Sequence, residues 1–234
     1  DYFQSTKGGG HGDYHMICLA PSSVQELYEL TVEAFNLSDK YRILTMIMGD
    51  GVLGQMMEVV TFRDEEKIET GNKTWAANGH EAKRDHNTIT SIHLDPAVLE
   101  QWNIRYQQKY KTIQENEQRF ELYNCEDAEI ILVAYGSVAR IAKSAIRAAA
   151  EKGIKVGLLR PITLWPFPTK AFEQVMNIPK AFLTVEMSAG QMLEDVKLTV
   201  EGRKPVYFTG RMGGMIPTVQ DFMTKIIEIK DKHS

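Results

Sequence analysis

Cysteine is scarce: Cys18 and Cys125 are the only two in 234 residues, and no C-x-x-C pair occurs. An iron–sulfur cluster or zinc site built from this chain alone has no ligand framework, and two reduced structural thiols are the plain expectation. A surplus of positive charge is also missing. Lys and Arg total 27 against 31 Asp and Glu, a net charge of −4, and the cations are scattered. No basic field exists to hold a polyanion, so nucleic acid is not an expected partner. No apolar run approaches the roughly 20 residues that a membrane span needs, and no basic-then-apolar stretch opens the sequence. A cytoplasmic location is expected. G-x-S-x-G, H-E-x-x-H, internal repeats and low-complexity stretches are likewise absent.

What remains is the balance of a globular protein, 43% apolar and 25% charged, with room for one or two domains. The sequence starts at Asp1 in loop chemistry, "DYFQSTKGGGHGDYH", which suggests a piece of a longer chain. Residues 16–20, "MICLA", read as a buried strand. Ser23 and Glu26 form a capping-box pattern, and apolar residues at helical spacing follow from Val24 to near Asp39 or Lys40. "RILTMIM", residues 42–48, is a second buried strand. This βαβ unit predicts a parallel sheet. Two strands and one helix cannot bury an adequate core, so further strands must complete that sheet.

Residues 61–125 read as a linker. Its first half is polar, and its second half carries a surface helix capped by Asp95, with Pro96 at the first helical position. Leu99, Trp102, Ile104, Tyr106, Tyr110 and Ile113 form a broken apolar stripe along that helix, which is expected to run as far as "RFELY". From about residue 127, strand and helix alternate four times, predicting a compact α/β domain with a mostly parallel sheet. Ser137 is the expected cap of the helix that stops at Gly153, Pro161 suits a strand end, and a final helix follows Pro217.

Five loops or turns could carry chemistry. Gly49-Asp50-Gly51 follows an apolar strand, and Asn78 lies at the spacing of a diphosphate-bound Mg²⁺ motif. The intervening span is charged and turn-rich, with no strand of its own, which favours a strand-to-helix turn lining a pocket at the sheet's carboxyl edge. Lys7, Gly8, Gly9, Gly10 and His11, with Gly12, form a glycine loop that leads into a strand instead of a helix, so it suits a pocket lining better than a phosphate cradle. His11 and His15 stand where titration near neutrality is possible. "AYGSVARIA", "SAGQMLEDV" behind Glu186, and "GRMGGMIPT" read as turns at strand ends. Beside the ordinary capped turn, the first has a nucleotide-binding reading that its single glycine makes poor, the second that of a functional buried carboxylate, and the third that of a pocket edge.

Whole phrases carry a resemblance. "DYFQSTKGGGHGDYHMICLAPSSVQELYELTVEAFNLSDKYR" with "GDGVLGQMMEVV" resembles the pyrimidine-domain (alpha) subunit of 2-oxoacid:ferredoxin oxidoreductases, nearest the branched-chain, 2-oxoisovalerate type. "VAYGSVARIAKSAIRAAAEKGIKVGLLRPITLWPFP" and "GRMGGMIPT" resemble the same subunit's transketolase carboxyl-terminal-like domain. The resemblance implies the carboxyl part of a thiamine-diphosphate-binding pyrimidine domain (residues 1–60), a linker with a surface helix (61–125), and a three-layer α/β domain (126–234). It implies oxidative decarboxylation of a 2-oxoacid to an acyl-coenzyme A, with electrons passing to ferredoxin. The cofactor would be shared with a partner. Mg²⁺ and iron–sulfur clusters would sit on beta and gamma subunits of a homo- or hetero-oligomer. The family's catalytic Glu and substrate Arg are not matched in these residues, so no catalytic residue is carried over. Lys7, Gly8, Gly9, Gly10, His11, Asp50 and Gly51 are the expected cofactor-pocket lining. The competing reading is a non-catalytic nucleotide or small-molecule binding or assembly module of α/β fold.

Overall fold

The computed structural model describes residues 1–62 and 73–233. Residues 63–72 of the expected linker, and with them part of the span between Asp50 and Asn78, lie outside the described residues. The chain opens with a short helix, α1 (Tyr2–Thr6), where sequence reasoning placed a loop. β1 (Ile17–Leu19), α2 (Val24–Tyr41) and β2 (Thr45–Ile47) follow as the expected βαβ unit, with β1 and β2 parallel. The capping box at α2 is only half formed. Ser23 Oγ accepts from Glu26 N–H at 3.1 Å, but the Glu26 carboxylate turns instead to the backbone and hydroxyl of Ser22.

α3 (Gly51–Gln55) ends the first segment. α4 (Pro96–Asn116) starts as expected, with Asp95 Oδ1 accepting from Ala97 N–H at 2.8 Å. It stops earlier than periodicity suggested. Phe120–Tyr123 is a strand, β3, because it can pair antiparallel with a neighbour far along the chain. Of the predicted α4 stripe only Tyr110 and Ile113 are buried.

The remainder builds β4 (Ile130–Val133), α5 (Gly136–Glu151), β5 (Val156–Pro161), β6 (Thr163–Trp165), α6 (Thr169–Val175), β7 (Ala181–Glu186), α7 (Met192–Val200), β8 (Val206–Gly210) and α8 (Val219–Lys232). "IKVGLLRPITL", expected as one strand, divides after Pro161 into β5 and β6. The larger sheet has the order β3-β5-β4-β7-β8, parallel except at the β3 edge. Strand alternation sends Ile130 and Leu132 to a core shared with α5 and α8. Ile131 and Val133 point to the opposite core, where Phe172, Phe182 and Val196 lie.

That second core also contains Ile17, Cys18 and Leu19 of β1. The reason is β6: it leaves the carboxyl-terminal part and pairs antiparallel with β1, giving a three-stranded sheet β2-β1-β6. The missing partner strand of the first βαβ unit is thus supplied, on one side, from more than 140 residues away in sequence.

Polar links close the same joint. Arg160, 2% exposed, forks onto Glu26 with two bonds of 2.7 Å, and Ser22 Oγ accepts from its Nη1. Its Nε lies 2.9 Å from Glu121 Oε2 as an ion pair without a directional hydrogen bond. Glu117 accepts from Lys40 Nζ (2.8 Å), Tyr41 Oη (2.6 Å) and Arg119 Nη1 (2.7 Å), tying the end of α2 to the end of α4.

Candidate functional site

The order of the larger sheet defines where a crevice must open. The chain leaves β4 toward β5 on one side, and leaves β7 toward β8 on the other. The carboxyl ends of β4 and β7 therefore diverge, and open α/β sheets bind ligands at such a point. Here Tyr135 and Gly136 follow β4, and Glu186 ends β7. The carboxyl end of β2, at Met48, Gly49 and Asp50, faces them across a crevice of about 140 Å³.

Asp50 fills the mouth of α5. Its Oδ1 accepts from Leu53 N–H at 2.9 Å, capping its own helix α3. The same carboxylate accepts from Ser137 N–H at 3.1 Å and from Ser137 Oγ at 2.8 Å. Ser137 was the expected cap of α5. It instead lies inside the first turn and donates outward, while Asp50, from the other part of the chain, neutralises the helix N-terminus. Gly136 makes room for this. Its φ is +59°, and a Cβ there would stand 3.2 Å from Asp50 Oδ2. The metal motif weighed in the sequence has Asp50 and Asn78 as ligands. In the structure three protein donors occupy Asp50, and Asn78 Oδ1 accepts from Arg84 Nη2 at 2.7 Å. Among the described residues no group of three His, Cys, Asp or Glu stands close enough to hold a metal ion.

Glu186, 1% exposed, caps α7: it accepts from Met192 N–H and Leu193 N–H at 2.9 Å each and from Ser188 Oγ at 2.8 Å. Burial raises its pKa, and these donors offset part of that rise. Burial likewise raises the Tyr135 phenol, with the Glu186 charge adding to it. The crevice wall is otherwise Asp1, Met48, Gly49, Val138 and Met187.

The glycine loop lies elsewhere. Lys7 and His15 line two adjoining clefts, of about 630 Å³ along α4 and about 420 Å³ toward Trp165. Lys7 Nζ is paired with Asp195, which also accepts from Tyr2 Oη at 2.6 Å, so the loop is anchored to α7. Gly9 N–H donates to Tyr14 Oη at 3.0 Å, and Gly10 and His11 are exposed. The His15 ring stacks on Trp165 at 4.7 Å and meets Tyr110 edge-on at 5.3 Å. Burial pulls its pKa down, partly offset by a hydrogen bond to the Thr6 carbonyl. The structure thus separates the expected lining into two places: Lys7, Gly8, Gly9, Gly10 and His11 beside the α4 clefts, and Asp50 with Gly51 at the sheet edge. Glu186 and Ser137 complete the sheet-edge group. The sequence signalled them only as a carboxylate before a turn and a serine at a helix start.

A parallel α/β protein with the carboxyl edges of two sheets facing each other is the class that this architecture defines. Residues 1–125 match the family described as "pyruvate flavodoxin/ferredoxin oxidoreductase, thiamine diP-bdg", and residues 128–222 match "pyruvate:ferredoxin oxidoreductase core domain II". The chain belongs to this thiamine-diphosphate-binding oxidoreductase family. It is 48% identical to the ketoisovalerate oxidoreductase subunit VorB of Methanothermobacter marburgensis, over 98% of this chain and 64% of that protein. It is 32% identical to the 2-oxoglutarate synthase subunit KorA of Methanocaldococcus jannaschii, over 88% of this chain and 62% of that one. The chain therefore spans under two thirds of the length of these relatives.

Among solved structures, the fold is similar to a 2-oxoglutarate:ferredoxin oxidoreductase from Magnetococcus marinus, with a TM-score of 0.72 and 19% identity over 97% of this chain and 44% of that one. A split-gene transketolase aligns with a TM-score of 0.51 and 12% identity over 91% of this chain and 56% of that one. The α/β fold with a transketolase-like second part is as the sequence led us to expect.

Proposed function

We propose that this chain is part of the alpha subunit of a thiamine-diphosphate-dependent 2-oxoacid:ferredoxin oxidoreductase acting on a branched-chain substrate of the 2-oxoisovalerate type. The observation that carries this is the 48% identity to a ketoisovalerate oxidoreductase subunit across 98% of the chain. Residues 1–60 read as the carboxyl part of the pyrimidine domain, 61–125 as the linker, and 126–234 as the transketolase-like domain.

Bound thiamine diphosphate supplies the carbon nucleophile and electron sink for decarboxylation. The described residues fit a wall of its pocket and not the whole of it. Asp50 and Glu186 spend their oxygens on protein donors, so neither carboxylate is free for the aminopyrimidine or for Mg²⁺. Met48, Met187 and Val138 offer the apolar surface that a ring stacks against. The activating carboxylate then lies outside these 234 residues, and the Mg²⁺–diphosphate ligands and the iron–sulfur clusters belong to the beta and gamma partners. Lys7 and Gly8–His11 lie beside the clefts along α4, where they suit substrate access better than the ring itself. The alternative of a nucleotide-binding module is weakened by Asp50, which occupies the α5 N-terminus where a phosphate would sit.

The test is anaerobic assay of the full-length subunit co-produced with its partners. Addition of 2-oxoisovalerate and coenzyme A should reduce methyl viologen and yield the branched acyl-coenzyme A, with 2-oxoglutarate a poorer substrate. Absence of reduction with every 2-oxoacid tried overturns the proposal.

A further inference from the structure

The crevice at the sheet edge contains a device that neither the family match nor the proposed reaction assigns. Asp50 caps two helices at once, one in each part of the chain. Within the first part it holds α3 directly behind β2. In the second part it enters the N-terminus of α5 as a small anion would, meeting the Ser137 amide and hydroxyl over a glycine that leaves no side chain in the way. A helix of 16 residues presents aligned amide dipoles there, so the contact is charge-assisted.

We infer that Asp50, Gly136 and Ser137 form a plug-and-socket joint through which the second domain positions the Met48–Gly51 turn. The three are positioning residues. Two further observations agree. The backbone N–H of Arg211, just past β8, donates to the Glu186 carbonyl at 3.1 Å, so the opposite wall of the crevice is fixed from the same domain. Beyond α3, Glu58 pairs with Arg140 of α5 at 2.6 Å and accepts from Val24 N–H at 2.9 Å, so the chain leaving the turn is held by the same helix. The turn and the chain leaving it are therefore both held by α5. The consequence for function rests on the reading above: if the turn walls the cofactor pocket, the second domain sets how well that pocket is shaped.

The experiment uses the full-length subunit in its complex, comparing wild type with Asp50→Gly, Ser137→Ala and Gly136→Ala. Hydrogen exchange is read on the amides of 51–55 and 137–140. Loss of one helix cap should speed exchange by about three- to thirty-fold. Ser137→Ala keeps the Asp50 cap of α3, so faster exchange at 51–55 in that variant reports the joint and not local capping. Asp50→Gly empties the socket. Sodium formate should then restore protection at 137–140, whereas sodium chloride at equal ionic strength should not. Unchanged exchange at 51–55 in Ser137→Ala, or equal effects of formate and chloride, overturns the joint. If Asp50→Gly does not fold, Ser137→Ala and Gly136→Ala still decide by the same amides. In the activity arm, Ser137→Ala should raise the half-saturation constant for thiamine diphosphate several-fold more than it lowers kcat. A rise in the half-saturation constant no larger than the fall in kcat, or a fall in kcat alone, counts against positioning. A wild-type complex without 2-oxoacid activity would remove the proposed function while the exchange data still judged the joint.

Discussion

Replacing Glu26 with Gln should destabilise the protein by about 2–3 kcal/mol, because it strands a buried guanidinium. Arg160 lies in β5 with its side chain 2% exposed, and Glu26 is its two-pronged partner at 2.7 Å on each arm. Removing one member of such a pair costs about 3–5 kcal/mol when nothing replaces it. The expectation here falls below that range for two reasons: Glu26 is 28% exposed, and Glu121 remains 2.9 Å from Arg160 Nε. For a chain of this size, about 2–4 °C accompanies each kcal/mol, so thermal unfolding followed by circular dichroism should show Tm falling by about 5–10 °C.

The effect must also depend on pH in one direction. Burial raises the Glu26 pKa, but the Arg160 hydrogen bond and charge, with the Ser22 donors, outweigh it and hold the carboxyl below its ordinary 4.5. A carboxyl depressed by folding contributes stability that is complete above its unfolded value and lost as pH falls through its folded value. Wild type and variant should therefore differ fully at neutral pH and converge below about 4.5. Pairing Glu26→Gln with Arg160→Met should recover part of the loss, since the buried charge is then gone. A Tm unchanged at neutral pH, or a difference that persists in acid, would refute the assignment of Arg160 and Glu26 as a stabilising link between the two parts of the chain.

Asp195→Asn weakens the hold of α7 on Tyr2 and Lys7, so tryptic cleavage after Lys7 should accelerate and stability fall by about 1–2 kcal/mol; an unchanged cleavage rate would contradict the anchor. Gly157→Ala places a Cβ 2.7 Å from the Asn124 carbonyl oxygen and 2.9 Å from Cys125 Cα, so denaturant midpoints should drop by the equivalent of about 1–3 kcal/mol. Both thiols are buried, with pKa values pushed up to about 12 for Cys18 and about 11 for Cys125. Burial is the main cause in each, so thiol reagents should react slowly with the native protein and fast once it is denatured. Rapid labelling of the folded chain would show that the core around β1 or β5 opens readily.

Much of the fold was readable because it depends on local pattern. The amphipathic period gave α2 and α5, and runs of β-branched and aliphatic residues gave β4 and β7. Asp95 before Pro96 marked the start of α4, and Pro217 the approach to α8, where Thr218 is the cap. The parts that escaped depend on partners distant in sequence. Phe120–Tyr123 continued a helical pattern on paper and became a strand only because β5 offers it an edge. Thr163–Trp165 read as the tail of the preceding strand, yet it crosses to β1. Tyr2–Thr6 looked like loop, and its helix is held by Asp195 and Gln191, 193 and 188 positions away.

The candidate site divides the same way. Gly49-Asp50-Gly51 announced a turn at a strand end, and local chemistry is enough for that: an Asp with short reach, between residues that impose no side-chain bulk, caps the next helix wherever it lies. The residue types alone therefore determined a strand, a turn and a short capped helix. What the carboxylate's remaining oxygen does could not follow from them, because its partner sits 87 positions further on and is reached only after β6 has carried the second domain back against β1. Hydrogen bonds of that kind are set by which surfaces tertiary packing brings within 3 Å. Spacing along the chain does not encode them, so the meeting of Asp50 with Ser137 was decided by the tertiary structure.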